Sequence, residues 1–378
     1  MKEPRLCSRC ILDTTVDDIW FDDQGVCKYC HFHDEMEKNH PLGDKAEKIL
    51  TELVARIQRD GKDKKYDCVV GVSGGRDSTF TLYTTVKLGL RPLAVHFDYG
   101  WNSDISVKNI KNACEKLNVD LFTIVADWEE FKDLQIAFLK ASTPDADVPA
   151  DYAIYSVLYY VANKEKIRYI FNGHSFRTEG TSPISWTYMD PVYVRDVHHK
   201  YGKVKKFKSF PHMTLFKLLY YIFIKKIKEK RILEYIDYKK TEVDSLLIKE
   251  LNWTYYGGHH HENYYTRFFQ SYYLPKKFNI DKRKTELSAL IRSGQITREA
   301  ALKEIASEPY SYEEKNVEYV INKLGLSRND FDQIMDAKLR THKDYRTLLS
   351  LIKILKGPIR IFTRLHLLPH VLYLKYAS

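Results

Sequence analysis

Between residues 66 and 173 four short apolar runs recur, "YDCVVGV", "PLAVHFD", "DLFTIVA" and "IRYIFNG", each separated from the next by a helix-like stretch. No other feature narrows the fold as much. Apolar runs bounded by turn residues read as buried strands, and their alternation with helices implies βαβ units and a parallel sheet covered on both faces. Strands are expected at 66–72, 92–98, 120–126 and 167–173. Helices are expected at 44–59, 77–88, 103–117, 128–140 and 152–164.

Past about residue 180 the alternation stops. Residues 181–212 are irregular, with Pro183, Pro191 and Pro211, and 214–250 read as helical. The stretch 253–278 is aromatic and His-rich, and 285–355 is helical again with a capping signal at Thr297. The expected division is a Cys-bearing module at 1–40, an α/β core at 41–180, a substrate- or partner-binding region at 181–284, and a helical region at 285–378.

Cys7-Ser-Arg-Cys10 and Cys27-Lys-Tyr-Cys30 are two CxxC pairs with sixteen residues between them. A CxxC turn offers two sulfurs to one ion, and two turns complete a closed tetrahedral site, which points to structural Zn2+ on Cys7, Cys10, Cys27 and Cys30. A segment this small needs such a staple, because it cannot bury enough apolar surface alone. A redox CxxC belongs beside a thioredoxin-like strand, and the segment around these pairs does not read as one. Cys68 and Cys114 read as buried small apolar residues.

The chain carries 60 Lys+Arg against 50 Asp+Glu, a net charge of +10, which suits a polyanionic or nucleotide-linked partner and equally a Lys-rich solvated surface. No apolar run is long enough to span a membrane, no secretory signal is visible, and a cytoplasmic location is expected. The longest candidate, "LFKLLYYIFI" at 215–224, reads as a buried or lid helix. The tail 357–378 is basic and apolar, suited to docking on the chain itself or on a partner.

The first strand runs into Ser73-Gly74-Gly75-Arg76-Asp77-Ser78, which opens a helix. Backbone N–H groups converge on a helix start, and paired glycines let them approach an oxyanion. Ser73 and Ser78 add hydroxyls. Asp77 is repelled by phosphate unless Mg2+ stands between them. Neither G-x-x-x-x-G-K-[ST] nor G-x-G-x-x-G fits, and a plain glycine-rich turn is the simpler alternative.

"SGGRDS" resembles the pyrophosphate-binding loop of the PP-loop ATP pyrophosphatases, whose fold is adenine-nucleotide-hydrolase-like and Rossmann-like. The resemblance implies cleavage of ATP between its α and β phosphates. It assigns Ser73, Gly74, Gly75, Arg76, Asp77 and Ser78 to the nucleotide, together with Asp98 in "FDYGWN" and Gly173 in "FNGHS". These all fall at the carboxyl ends of expected parallel strands, where α/β sheets bind ligands.

Over nearly the whole chain the sequence resembles one branch, the N-acetyl sugar amidotransferases of bacterial surface-glycan synthesis, including lipopolysaccharide O-antigen. The Cys pairs, "GVSGGRDS", "DWEEFKDLQIAFLKAS", "NGHSFRTEG", "YYGGHHHENYYTRFFQSYYLPKKF" and "DKRKTELSALIRSGQITREAA" carry it. Arg76 departs from the Lys often found there. The branch's chemistry implies that an acetamido oxygen of a nucleotide-linked sugar is adenylated, releasing pyrophosphate, and is then replaced by ammonia to give an acetamidino sugar and AMP. The loop amides, Mg2+ on Asp77 and cationic side chains are expected to position and stabilise charge.

Acid–base and substrate roles are expected of His174, Glu262 and Arg267, with Lys277 as a further anion ligand. An ordinary aromatic core is the alternative for this segment. His259, His260 and His261 suggest a metal, although adjacent side chains diverge. No Cys–His–Glu glutaminase region is evident, so a separate glutaminase with a barrel subunit like the imidazole glycerol phosphate synthase pair is expected to supply ammonia, and no nucleic acid is expected as partner. Two other readings stay open: a tRNA-thiolating PP-loop enzyme, and a non-catalytic zinc-binding adaptor on an α/β scaffold.

Overall fold

Five parallel strands form one sheet in the computed structural model, which describes residues 4–258, 262–307, 310, 312–365, 368 and 370–376. They are β1 (Cys68–Gly71), β2 (Pro92–Asp98), β3 (Leu121–Val125), β4 (Tyr169–Phe171) and β5 (Lys228–Lys230), in the order β3-β2-β1-β4-β5. The helices before and between the strands are α1 (Lys28–Asn39), α2 (Asp44–Gly61), α3 (Arg76–Lys87), α4 (Asp104–Leu117), α5 (Trp128–Ala141) and α6 (Val148–Lys164). The α/β expectation for this part holds to within a few residues at each boundary.

Side-chain alternation along the strands divides the core into two layers. Val69, Leu93, Val95 and Ile170 pack under α5 and α6, whereas Cys68, Val70, Ala94 and Phe171 pack under α2, α3 and α4. Cys68 and Cys114 are buried in the second layer, as small apolar residues would be. The helix starts are specified locally. Ser103 Oγ caps α4 by accepting from Ser106 N at 3.2 Å, and Asp127 caps α5 by accepting from Glu130 N at 3.1 Å.

The helical expectation for 214–250 needs correction. Only Leu215–Leu219 (α8, after α7 at Pro191–Tyr201) and Lys240–Leu251 (α9) are α-helical there; a π-turn covers Tyr220–Ile224, and β5 lies between. β5 pairs with β4 through Tyr169↔Lys228, Ile170↔Glu229 and Phe171↔Lys230. The open edge of β4 needed hydrogen-bond partners, and that tertiary demand overrode local helical propensity. The 215–224 segment is also exposed along one face rather than buried.

Beyond α9 come α10 (Tyr264–Phe268), a π-helical run at Phe269–Phe278, α11 (Arg283–Arg292), α12 (Arg298–Ser307), α13 (Glu314–Lys323) and α14 (Arg328–Asp336). They are followed by α15 (Leu349–Ile354), α16 (Lys356–Arg364) and α17 (His370–Tyr376). Tyr265, Phe268 and Tyr273 are fully buried in the α5/α6 layer together with Val317, Val320 and Phe331. For those rings the aromatic segment is core. Among the described residues no helix is long and apolar enough to cross a membrane.

Candidate active site and metal centre

The chain leaves β1 for β2 on one side and later returns to β4 on the other, so the carboxyl ends of β1 and β4 flank the switch point of the sheet. The 73–78 loop follows β1 there, and Gly173 follows β4. Gly74 has φ +79°, and a Cβ on it would meet the Ser106 carbonyl oxygen at 2.2 Å. Only glycine fits. Its own carbonyl accepts from Trp253 Nε1 at 3.0 Å and Asn109 Nδ2 at 3.2 Å, which clamp the turn from α4 and from the aromatic segment.

Gly75 is the N-cap of α3 and offers no side-chain acceptor to the first turn. Ser73 and Ser78 hydroxyls lie 3.1 Å apart, and Ser78 Oγ also accepts from Ser73 N at 3.1 Å. Glu262 reaches the same spot: its Oε1 lies 2.8 Å from where a Gly75 Cβ would stand. Gly173 packs against the loop from the other side, where a Cβ would meet Asp77 C and Ser78 N at 2.8 Å. Its place is therefore set by close backbone approach. A glycine cradle at a helix start whose N-cap residue has no side chain, bounded by two hydroxyls, fits the phosphates of ATP.

Asp77 does not stand alone. Its carboxyl accepts from the Tyr238 hydroxyl and is hydrogen-bonded to Glu179, and burial together with the Glu179 charge pushes it up to about 7. A neighbouring carboxylate favours the protonated form of Asp77, and an oxygen-ligated divalent ion suits the same pair. Glu179 Oε2 also lies 2.7 Å from His174 Nδ1, and its charge raises the exposed imidazole above its ordinary value. His174 thus enters the site through Glu179.

Asp98 braces the next strand end. Its Oδ1 accepts from Gly100 N at 2.9 Å and Asn102 Nδ2 at 3.1 Å, and Asn102 bridges to Asn263, next to Glu262. His96 Nδ1 donates to the Val72 carbonyl at 2.9 Å, so its Nε2 is free to accept from Asn102 at 3.0 Å, and burial lowers its basicity. Arg76 forms a two-pronged pair with Asp244 of α9, and its backbone N–H donates to the Tyr256 hydroxyl at 3.2 Å.

Arg267 turns instead to Glu313, at the foot of α13, at 2.7 Å. Lys277 corrects the expectation of an anion ligand. Its ammonium donates to the carbonyls of Ile334, Met335 and Ala337, the open end of α14, and burial lowers it to about 8. His259–His261 lie outside the described residues. Sequence reasoning missed Glu179, Tyr238, Asn109 and Trp253 as site partners. Glu179 had a signal, an acid five residues beyond the strand-end His174, whereas Tyr238 joins through tertiary packing alone.

The four cysteines converge as well. Cys7, Cys10, Cys27 and Cys30 are buried, with Cys10–Cys27, Cys27–Cys30 and Cys7–Cys30 sulfurs 3.7, 3.8 and 3.9 Å apart. A tetrahedron with Zn–S bonds of about 2.3 Å has edges of about 3.8 Å, so the sulfurs are spaced for a single ion. Backbone N–H groups of Arg9, Cys10 and Cys27 point at Cys7 Sγ at 3.4, 3.5 and 3.2 Å, a second layer that offsets thiolate charge. Arg298 donates to the Cys7 and Cys10 carbonyls at 3.0 and 3.1 Å, docking the module on α11 and α12.

Two family models match the chain. Residues 67–163 match the queuosine biosynthesis protein QueC, and residues 262–356 match the C-terminal domain of WbpG-like LPS biosynthesis proteins. The core is of the PP-loop ATP pyrophosphatase type. Curated relatives include an uncharacterized protein of Methanocaldococcus jannaschii, 26% identical over 44% of this chain. A tRNA(Ile)-lysidine synthase of Chlamydia pneumoniae is 34% identical over 19% of it. The chain spans 58% and 24% of the lengths of those two relatives. An NMN synthetase structure from Francisella tularensis aligns at 15% identity over 78% of this chain and 97% of its own, with a TM-score of 0.31.

Proposed function

We propose that this PP-loop protein is an ATP-dependent amidotransferase acting on a nucleotide-linked N-acetyl sugar. The observation that carries the adenylating half is the Asp77–Glu179 carboxyl pair beside the Gly74–Gly75 cradle at the start of α3. The LPS-associated match over 262–356 supports the sugar half. In the reaction the acetamido oxygen attacks the α-phosphorus of ATP and pyrophosphate leaves. Ammonia then adds to the former carbonyl carbon, and the oxygen departs on AMP, leaving the C=N bond of an acetamidino group.

The chain's own groups have defined tasks. N–H groups of the 73–78 loop and the Ser73 and Ser78 hydroxyls hold the departing pyrophosphate. Asp77 and Glu179 hold Mg2+, which neutralises phosphate charge when bound. His174, whose neutral imidazole is made a stronger base by the Glu179 charge, and Glu262 against Gly75 are the candidates for accepting a proton from the incoming ammonia. Ammonia comes from a separate glutaminase with its barrel subunit, and the four-cysteine centre, its ligand sphere full, is structural Zn2+.

The match to a tRNA-modifying relative favours a second reading, adenylation of a carbonyl on tRNA. Sulfur transfer fits poorly, because Cys68 and Cys114 are buried and the other four cysteines form the cluster. The deciding experiment incubates the full chain with ATP, Mg2+ and ammonium, and measures AMP and pyrophosphate. Formation that depends on a UDP- or CMP-linked N-acetyl sugar supports the proposal. Dependence on tRNA selects the second reading, and AMP formation with glutamine alone removes the separate glutaminase.

A further inference from the structure

Two helical segments turn apolar stripes outward. In α8 and the π-turn after it, Tyr221 and Ile222 are buried, while Phe216, Leu219, Tyr220, Phe223 and Ile224 are exposed, Phe216 to 83%. Their spacing of i, i+3, i+4, i+7 and i+8 is one face of a helix. Along α15 and α16, Leu351, Ile354, Leu355, Ile361 and Leu365 are exposed at similar spacing, Ile354 to 78%. Helical bonding carries across the junction, since Ile359 N donates to the Leu355 carbonyl at 3.0 Å. Phe223 and Phe362 meet edge to face with ring centroids 5.2 Å apart, which joins the two segments.

The charge on this surface has one sign. Lys217, Lys225 and Lys226 are exposed on the first segment, and Lys353, Lys356, Arg360 and Arg364 on the second. Neither 214–228 nor 349–365 contains an Asp or Glu. On α15 and α16 the basic residues recur at their own helical spacing, beside the apolar stripe rather than within it. Protein–protein interfaces are depleted in Lys, whereas an apolar face bordered by Lys and Arg is what an anionic lipid surface attracts. A cavity of about 290 Å³ adjoins the patch at Ile224 and Lys225, and Lys64, Lys166 and Arg168 line it too. It provides a positive recess of headgroup scale at the edge of the apolar surface.

We propose that this surface docks the protein on an anionic phospholipid bilayer, its apolar stripes entering the headgroup–acyl boundary and its basic side chains meeting lipid phosphates. The protein lies on the membrane without crossing it, and the inference is independent of which substrate is adenylated. The test is flotation of the full chain with phosphatidylcholine vesicles, with and without phosphatidylglycerol. Binding that requires phosphatidylglycerol and weakens with salt is expected. Lys353→Ala with Lys356→Ala should weaken it about thirtyfold, from about 1 kcal/mol per basic residue, and Phe216→Ser with Ile361→Ser should weaken it further.

These side chains are exposed, so folding should be preserved, and unchanged ATP-dependent AMP formation in both variants checks this. Three outcomes overturn the proposal. They are equal binding to both vesicles, binding to neither, and a concentration-dependent dimer in sedimentation that Phe216→Ser with Ile361→Ser dissolves.

Discussion

The four-cysteine centre and the β1 loop site are built on opposite plans. All ligands of the first lie between Cys7 and Cys30, and their spacing in sequence already encodes the tetrahedron. The second gathers groups from Ser73 to Glu262, and its chemistry depends on strands and helices arriving from five places. The loop supplies the cradle, β4 supplies Gly173 and His174, the following turn supplies Glu179, and distant segments supply Tyr238 and Glu262. A metal site closed by local turns is robust to its surroundings. A site closed by packing is only as good as the elements behind it.

The two sites are also mechanically connected. Arg292 of α11 lies 3.8 Å from Cys10 Sγ, and α11 backs the site turn at Gly180, where a Cβ would meet Arg292 Nη2 and the Thr285 carbonyl at 3.1 Å. Arg177 ties the same turn to α1 by donating to the His40 carbonyl at 2.7 Å. The four-cysteine module therefore buttresses the turn that carries His174 and Glu179.

Removing one ligand should give the largest effect. Cys27→Ser is expected to lose the metal, read by elemental analysis, and to cost on the order of 5 kcal/mol of stability in denaturant unfolding, a fraction of what structural zinc contributes. Because of the α11 connection, AMP formation should fall with it. Retained activity without metal would show that the two sites are independent.

Asp77→Asn is the converse change. It should lower AMP formation by about 100- to 1,000-fold while leaving metal content unchanged and the melting temperature no lower than the parent's. A comparable loss of stability would make Asp77 a structural residue. Lys277→Met separates fold from site within the aromatic segment. It leaves three carbonyls of α14 without their cation, so stability should drop by about 2 kcal/mol, with AMP formation per folded molecule unaltered.

The remaining effect is a pH slope. The Asp77 carboxyl titrates at about 7 in the folded protein against 3.8 ordinarily, so the folded state holds its proton more tightly than the unfolded chain. Stability without nucleotide should therefore decline as pH rises from about 4 to about 7 and level off above that. Asp77→Asn should flatten this window in thermal melts across the pH range. An unchanged slope would assign the titration elsewhere.

Much of this was legible in the residues themselves. Strand and helix positions in 66–173 follow from apolar alternation, the loop from its glycines and following helix, and the convergence of four cysteines from two CxxC pairs. These are short-range properties, written within a turn or a strand of the groups they govern. What the tertiary structure alone decided is of longer range. It turned part of an apparently helical stretch into β5, because β4 had an unsatisfied edge. It paired Asp77 with Glu179, gave Lys277 to the end of α14 rather than to an anion, and left the 215–224 stripe facing outward. In each case the residue's local surroundings permitted several roles, and the choice fell to whichever distant group needed a partner.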